Sequence, residues 1–217
     1  ALRPLQRFKD IGGLDHVVGQ LQELKADIEM TQQGAVGILL PSGLMLFGPP
    51  GTGKTALVRA LAGECGVPLL QVDGAQLTKL LKGTGPASLA AAFQDARLLR
   101  DRETMRLRSE PGATGFEQGV AIMLIDELDS VAGKRSAGGE LGDDERQNIV
   151  NTLLQEMNGF DTQRNRNVIV VGATNLIEKL DPALLRPGRF TDKIEVPLPI
   201  AWQQRLDILK KLEVPIM

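Results

Sequence analysis

Residues Gly48-Pro-Pro-Gly-Thr-Gly-Lys-Thr55 fit the pattern GxxxxGK[ST] at every fixed position. They lie between a short apolar run, Leu44-Met-Leu-Phe47, and an apolar helical run from Ala56 to Cys65. Three glycines and two prolines forbid a regular element across the segment itself, so a strand must break into a loop and restart as a helix. Glycines let backbone N–H groups converge on phosphate oxygens, and the helix that follows turns its positive end toward the same anion. Lys54 then neutralises β- and γ-phosphate charge, and the Thr55 hydroxyl is a ligand for Mg²⁺. A Gly/Pro turn carrying an exposed lysine is the competing reading, and the strand-before, helix-after context argues against it.

The rest of the chain repeats that alternation. Helical spacing at Leu14, Val17, Val18, Leu21, Leu24 and Ile28 predicts a first helix that ends near Gly34. Strands are expected at Leu44–Phe47, Leu69–Val72, Val120–Ile125, Val168–Ala173 and Lys193–Val196. Helices are expected at Ala56–Cys65, with Leu57, Ala60 and Leu61 inward, and at about Ala87–Arg100, with Leu89, Phe93 and Ala96 inward. A further helix bears Ile149, Leu153, Leu154 and Met157, and Asn158-Gly159 closes it. Arg100–Gly119 and Ala132–Gly142 read as solvated loops. Alternating strands and helices imply a parallel sheet covered on both faces. The expected fold is therefore α/β: a P-loop NTPase three-layer sandwich around a central five-stranded parallel sheet.

Composition narrows the function. The 217 residues suffice for one sizeable domain, and a net charge of −2 lacks the basic face of a nucleic-acid binder. The one cysteine, Cys65, makes no internal disulfide and reads as a small buried residue. With one histidine, His16, neither an HExxH zinc site nor a Ser-His-Asp triad is available, and His16 is expected on a helix surface. The apolar run Val120–Ile125 is far short of the about 20 residues that span a bilayer.

A second motif supports the first. Ile122-Met-Leu-Ile-Asp-Glu127 is an apolar strand ending in two carboxylates. In a P-loop fold that strand ends beside the phosphate loop, where Asp126 reaches Mg²⁺ through its water shell and Glu127 polarises the attacking water. Val170-Val-Gly-Ala-Thr-Asn175 is another strand with a polar end. Asn175 is either a holder of the same water or of the γ-phosphate, or an ordinary turn residue; spacing does not distinguish the two.

Together these motifs resemble those of the AAA+ ATPases and, within them, of the AAA family proper, from Phe8 to about Leu212. Phe8-Lys-Asp-Ile-Gly-Gly-Leu14 is similar to the family's adenine-pocket segment, Gly48–Thr55 to its Walker A, and Asp126-Glu-Leu-Asp129 to its Walker B. Gly172-Ala-Thr-Asn175 through Asp181-Pro-Ala-Leu-Leu-Arg-Pro-Gly-Arg-Phe190 resembles its second region of homology. The resemblance implies ATP or ADP bound by Asp10, Ile11 and Gly12 on one side. On the other side are Pro50, Gly51, Thr52, Gly53, Lys54, Thr55 and Ala56, with Asp126. It implies Mg²⁺ at Thr55 and Asp126, Asn175 as sensor 1, and Glu127 and Lys54 as catalytic. Arg186 and Arg189 take the arginine-finger positions, which serve a neighbouring subunit's nucleotide, so a homo-oligomer, usually a hexamer, is implied. Protein substrates are the implied cargo, threaded past a pore loop at Lys79–Gly85.

The chain also departs from the family. Leu81 stands where the pore loop usually carries an aromatic. Leu176 replaces an arginine after Ala-Thr-Asn, and Thr191-Asp192 replaces Asp-Arg, which puts inter-subunit coupling in question and motivates a nucleotide-gated scaffold as the rival to a motor. A DNA-acting member is the third reading, disfavoured by the acidic balance. Segments around Asp144 and Glu156–Phe160 resemble the membrane-anchored AAA proteases. The Asp10–Asp15 opening and the long approach to Walker B resemble the SNARE-disassembling and segregase types. The expected organisation is a large α/β subdomain at 1–199 and the first helix of a mostly absent helical lid at 200–217, its Trp202, Leu206 and Leu209 left partly unburied. A fragment without any membrane anchor of its own is expected, working on the cytoplasmic or organelle-matrix side.

Overall fold

The computed structural model describes residues 3–79, 84–133, 143–158 and 165–212. Five strands, β1 (Gly43–Phe47), β2 (Leu69–Asp73), β3 (Ala121–Asp126), β4 (Val168–Thr174) and β5 (Phe190–Glu195), pair in parallel in the order β2-β3-β4-β1-β5. The three central strands are nearly continuous apolar runs, as strands covered on both faces require.

Successive side chains of a strand point to opposite faces, and the core divides accordingly. Leu44, Leu46, Ile122, Leu124, Ile169 and Val171 pack on one side with Val17 and Leu21 of α1 (Asp15–Gln32) and Leu57 and Leu61 of α2 (Lys54–Cys65). Met45, Met123, Ile125, Val168 and Val170 pack on the other with Phe93 of α4 (Thr84–Arg108) and Ile149 and Leu153 of α6 (Asp143–Asn158). Each of these fully buried large side chains contributes about 1.5–3 kcal/mol, so the sheet is gripped from both layers along its central strands. Three shorter α-helices, α3 (Gly74–Lys79), α5 (Asp129–Ala132) and α7 (Trp202–Lys211), and 3-10 turns at Phe8–Asp10, Ile177–Lys179 and Pro182–Leu185 complete the described elements. The three-layer sandwich expected from the pattern is the fold observed. Cys65 and His16 lie as expected, one buried and one exposed on α1; burial pushes the Cys65 thiol up to about 12.

Two boundaries differ from the pattern. The helix expected to stop at Arg100 continues to Arg108, so the solvated stretch is confined to the residues after it. No helix breaker occurs between Arg100 and Pro111, and the extension is held by charge rather than apolar spacing. Glu103, 3% exposed, accepts from both Arg3 and Arg106, and Arg106 also pairs with Glu110. β5 begins at Phe190 rather than Lys193, which puts Thr191 and Asp192 inside an exposed edge strand. Leu81 and most of the Gly-rich segment after Ala132 lie outside the described residues, as does Gly159. Among the described residues no helix is long and apolar enough to cross a membrane.

Candidate active site

Strand register brings the motifs together. Phe47 is level with Thr174, Ile125 with Gly172, and Asp73 with Asp126. Gly48, Asp126-Glu127 and Asn175 therefore emerge along one edge of the sheet, at the carboxyl ends of the strands where open α/β sheets bind ligands. Backbone bonds lock the edge. The Gly48 N–H donates to the Thr174 carbonyl at 3.3 Å, and the Leu128 N–H donates to the Ala173 carbonyl at 2.9 Å.

The phosphate loop turns into α2 at Gly53, whose φ of 92° is a left-handed conformation that any other residue would adopt at a cost. No side chain caps this helix start, so its first-turn N–H groups are not engaged by a capping oxygen. Lys54 is only 8% exposed. Its Nζ donates to the Gly48 and Pro49 carbonyls at 2.8 Å each and to Asn175 Oδ1 at 2.9 Å. Burial lowers its pKa, while Asp126 and Asp129 pull the other way. The Thr55 hydroxyl donates to Asp126 Oδ2 at 2.7 Å. Side chains carried by α2 and the ends of β3 and β4 thus meet within hydrogen-bond distance.

Glu127 follows Asp126 with φ 51°, outside the range a non-glycine residue ordinarily takes. Its N–H donates to Asp126 Oδ1 at 3.1 Å, and its side chain is exposed. Gly74 packs against its backbone so closely that a Cβ there would lie 2.7 Å from the Glu127 carbonyl oxygen. Backbone strain of this kind costs about 1–3 kcal/mol and persists where neighbours enforce it. Sequence reasoning gave no role to Asp129. Its Oδ1 accepts from the Thr174 hydroxyl at 2.6 Å and from the Asn175 N–H at 3.3 Å, so it fixes the turn that carries Asn175. The signal was present as the last acid of Asp126-Glu-Leu-Asp129, although its partner lies 45 residues further on.

The base end is a cleft of about 220 Å³. Asp10, Ile11 and Gly12, which the resemblance set at the adenine pocket, line one wall, and Gly51, Thr52, Gly53 and Ala56 the floor; Pro50 is exposed outside it. Pro199, Ile208, Lys211 and Leu212 form a wall that sequence reasoning missed. The missed signal is a helical face offset from the one read: Trp202 and Leu209 are 62% and 40% exposed, and Ile208 faces the cleft instead. Arg186 is exposed at the end of a 3-10 turn, Pro182–Leu185. Arg189 is half-buried and donates to the Ala183 carbonyl of that turn.

These residues fit a magnesium nucleotide. Uncapped helix N–H groups and a buried ammonium suit phosphates. A hydroxyl beside a carboxylate is the hard oxygen pair Mg²⁺ prefers. The cleft between Ile11 and Ile208 suits a planar base.

The model of the ATPase family associated with various cellular activities (AAA) matches residues 44–198, well over half of the chain. The chain belongs to the AAA family of ATPases. Its AAA relatives include the ATP-dependent zinc metalloprotease FtsH of Acidimicrobium ferrooxidans, 40% identical over 209 residues, which are 96% of this chain and 28% of the relative. FtsH 1 of Symbiobacterium thermophilum is 42% identical over 193 residues, 88% of this chain and 29% of the relative. FtsH of a Synechococcus strain is 38% identical over 204 residues, 94% and 28%. The chain thus spans less than a third of the length of these relatives. Nucleotide binding comes with membership of the AAA family, and the matched span contains the phosphate loop, Asp126-Glu127 and Asn175.

Proposed function

We propose that this chain is the Mg-ATP-hydrolysing motor unit of a protein-remodelling machine. The observation that carries the proposal is the Lys54–Asn175 hydrogen bond beside the Thr55–Asp126 bond, which gathers the phosphate loop and the ends of β3 and β4 into one site. Bound Mg-ATP supplies the labile phosphoryl bond and the metal's positive charge. Lys54 sets its ammonium against phosphate charge, and the backbone N–H groups from Gly51 to Ala56 add to it. Thr55 and Asp126, whose side chains meet at 2.7 Å, would hold the metal, which would supply positive charge beside the phosphates. The Glu127 carboxylate accepts the proton that the attacking water gives up, and Asn175 orients that water. Positioning and electrostatics of this kind are the main demands of phosphoryl transfer.

Arg186 and Arg189 complete the site of a neighbouring copy, so the working form is a ring, a hexamer by the family resemblance. The exposure of Arg186 supports this, and the Arg189 contact to Ala183 stiffens the turn that presents it. Residues 1–199 act as the large subdomain and 200–217 begin the helical lid. Relatives named as ATP-dependent metalloproteases favour the protease-linked type over the SNARE-disassembling and segregase types, with protein as substrate and the motor on the cytoplasmic or organelle-matrix side.

The test is ATP turnover per chain as a function of chain concentration. A steep rise that Arg186→Ala removes, with ADP affinity kept, is the expected result. A rate that is measurable but flat overturns the ring. A negligible rate at every concentration replaces the motor with the nucleotide-gated scaffold.

A further inference from the structure

α7 has no buried residue. No core side chain holds it, yet its backbone lies closer to the base-pocket segment than side chains would permit. A Cβ on Gly12 would stand 2.8 Å from the Ile208 Cα, and one on Gly13 would stand 2.7 Å from the Gln204 carbonyl oxygen. Two polar bonds fasten this contact. The Gly13 N–H donates to Asp207 Oδ2 at 2.8 Å, and Lys211 Nζ donates to the Lys9 carbonyl. One turn of the helix thereby grips both ends of the segment 9–13. The same turn contributes Ile208 and Lys211 to the cleft that Ile11 and Gly12 line from the other side.

From this geometry we infer that Asp207 is a positioning residue for the base end of the nucleotide site. Its bond to Gly13 seats α7 over the cleft, so docking of α7 and binding of the adenosine moiety are one linked equilibrium. The inference rests on the nucleotide-site reading above. A ligand that contacts only the docked arrangement stabilises it, and its apparent affinity falls with the fraction of chains docked. A ligand confined to the phosphate loop does not sense α7, because Lys54, Thr55 and Asp126 are held by the strands and α2.

The two classes of ligand separate the claims. Calorimetric titrations of the full chain with Mg-ADP and with Mg-pyrophosphate are compared for wild type, Asp207→Ala and Asp207→Asn, with circular dichroism confirming the fold of each. Asp207→Ala is expected to weaken ADP about threefold to tenfold, the range set by loss of one hydrogen bond, and to leave pyrophosphate unchanged. Asp207→Asn keeps an oxygen acceptor for the Gly13 N–H and is expected to restore ADP to within about twofold. Unchanged ADP affinity in Asp207→Ala overturns the inference, and so does an equal loss of both ligands or a failure of Asn to restore. A wild-type chain that binds neither ligand overturns the site itself and the role of Asp207 with it.

Discussion

The two ends of the proposed nucleotide site are built by different means. At the phosphate end, every side chain hangs from the carboxyl edge of a sheet whose central strands are buried on both faces, or from the helix that follows β1. Lys54, Thr55, Asp126 and Asn175 bond to one another across that edge. At the base end, residues 9–13 meet α7 almost two hundred positions later, and neither Ile11 nor any residue of α7 is fully buried. Backbone approach at two glycines and two polar bonds hold that wall. The proposed site is thus held by side-chain bonds where phosphate charge would sit and by backbone approach where a base would enter.

Three substitutions test this contrast. Lys54→Ala strikes the phosphate end and is expected to weaken Mg-ADP and Mg-pyrophosphate alike by about a hundredfold, as loss of charge-assisted bonds implies; calorimetry reads both, and a loss confined to ADP would reverse the assignment of ends. Asp129→Ala leaves the Thr174 hydroxyl, in a residue only 1% exposed, without its acceptor. It is expected to cost about 1–3 kcal/mol of unfolding free energy by urea titration, and a neutral result would show that the strand ends need no such brace. Gly12→Ala pushes against the α7 backbone. It is expected to weaken ADP about tenfold, within the range of overpacking costs, while pyrophosphate binding persists.

Glu117, outside both ends, supplies a reference. The Thr114 N–H first, then its own N–H, the Thr114 hydroxyl and the Gly115 N–H hold its carboxyl down to about 2. The folded state keeps this group ionised to lower pH than the unfolded chain does. Its stabilisation is therefore present above about pH 4.3 and is lost as the pH falls toward about 2. Glu117→Gln is expected to lower the urea midpoint modestly at pH 7 and by less at pH 3, with ADP affinity unchanged at pH 7.

The contrast also explains what could be read from residues alone. Motif spacing reports groups that one strand or loop presents, so the phosphate loop and Asp126-Glu127 were legible, whereas Asn175 took a role only through resemblance; the register of the strands brings all three together. Asp10–Gly12 was legible only through resemblance. Asp207 and Ile208 were not, because their partners lie across the chain and the most apolar face of α7, Trp202 and Leu209, points to solvent. The extension of α4 past Arg100 was hidden for a related reason. Its stabilising partners are charges, above all Glu103 between Arg3 and Arg106, and periodicity of apolar residues does not register them. β5 gave a weak signal because its exposed residues Thr191, Asp192 and Lys193 do not alternate with buried ones.

Glu127→Gln asks whether the strand-edge residues form the proposed ATP-hydrolysing site. Steady-state phosphate release and calorimetric ATP binding are measured on the variant and on the wild type under one set of conditions. Turnover is expected to fall by about 10²–10⁴ while ATP affinity stays within about threefold, the change that follows when a proton acceptor is lost and the phosphate end is left intact. Turnover that survives the substitution would remove Glu127 from the reaction and the strand edge from its place as the hydrolytic site.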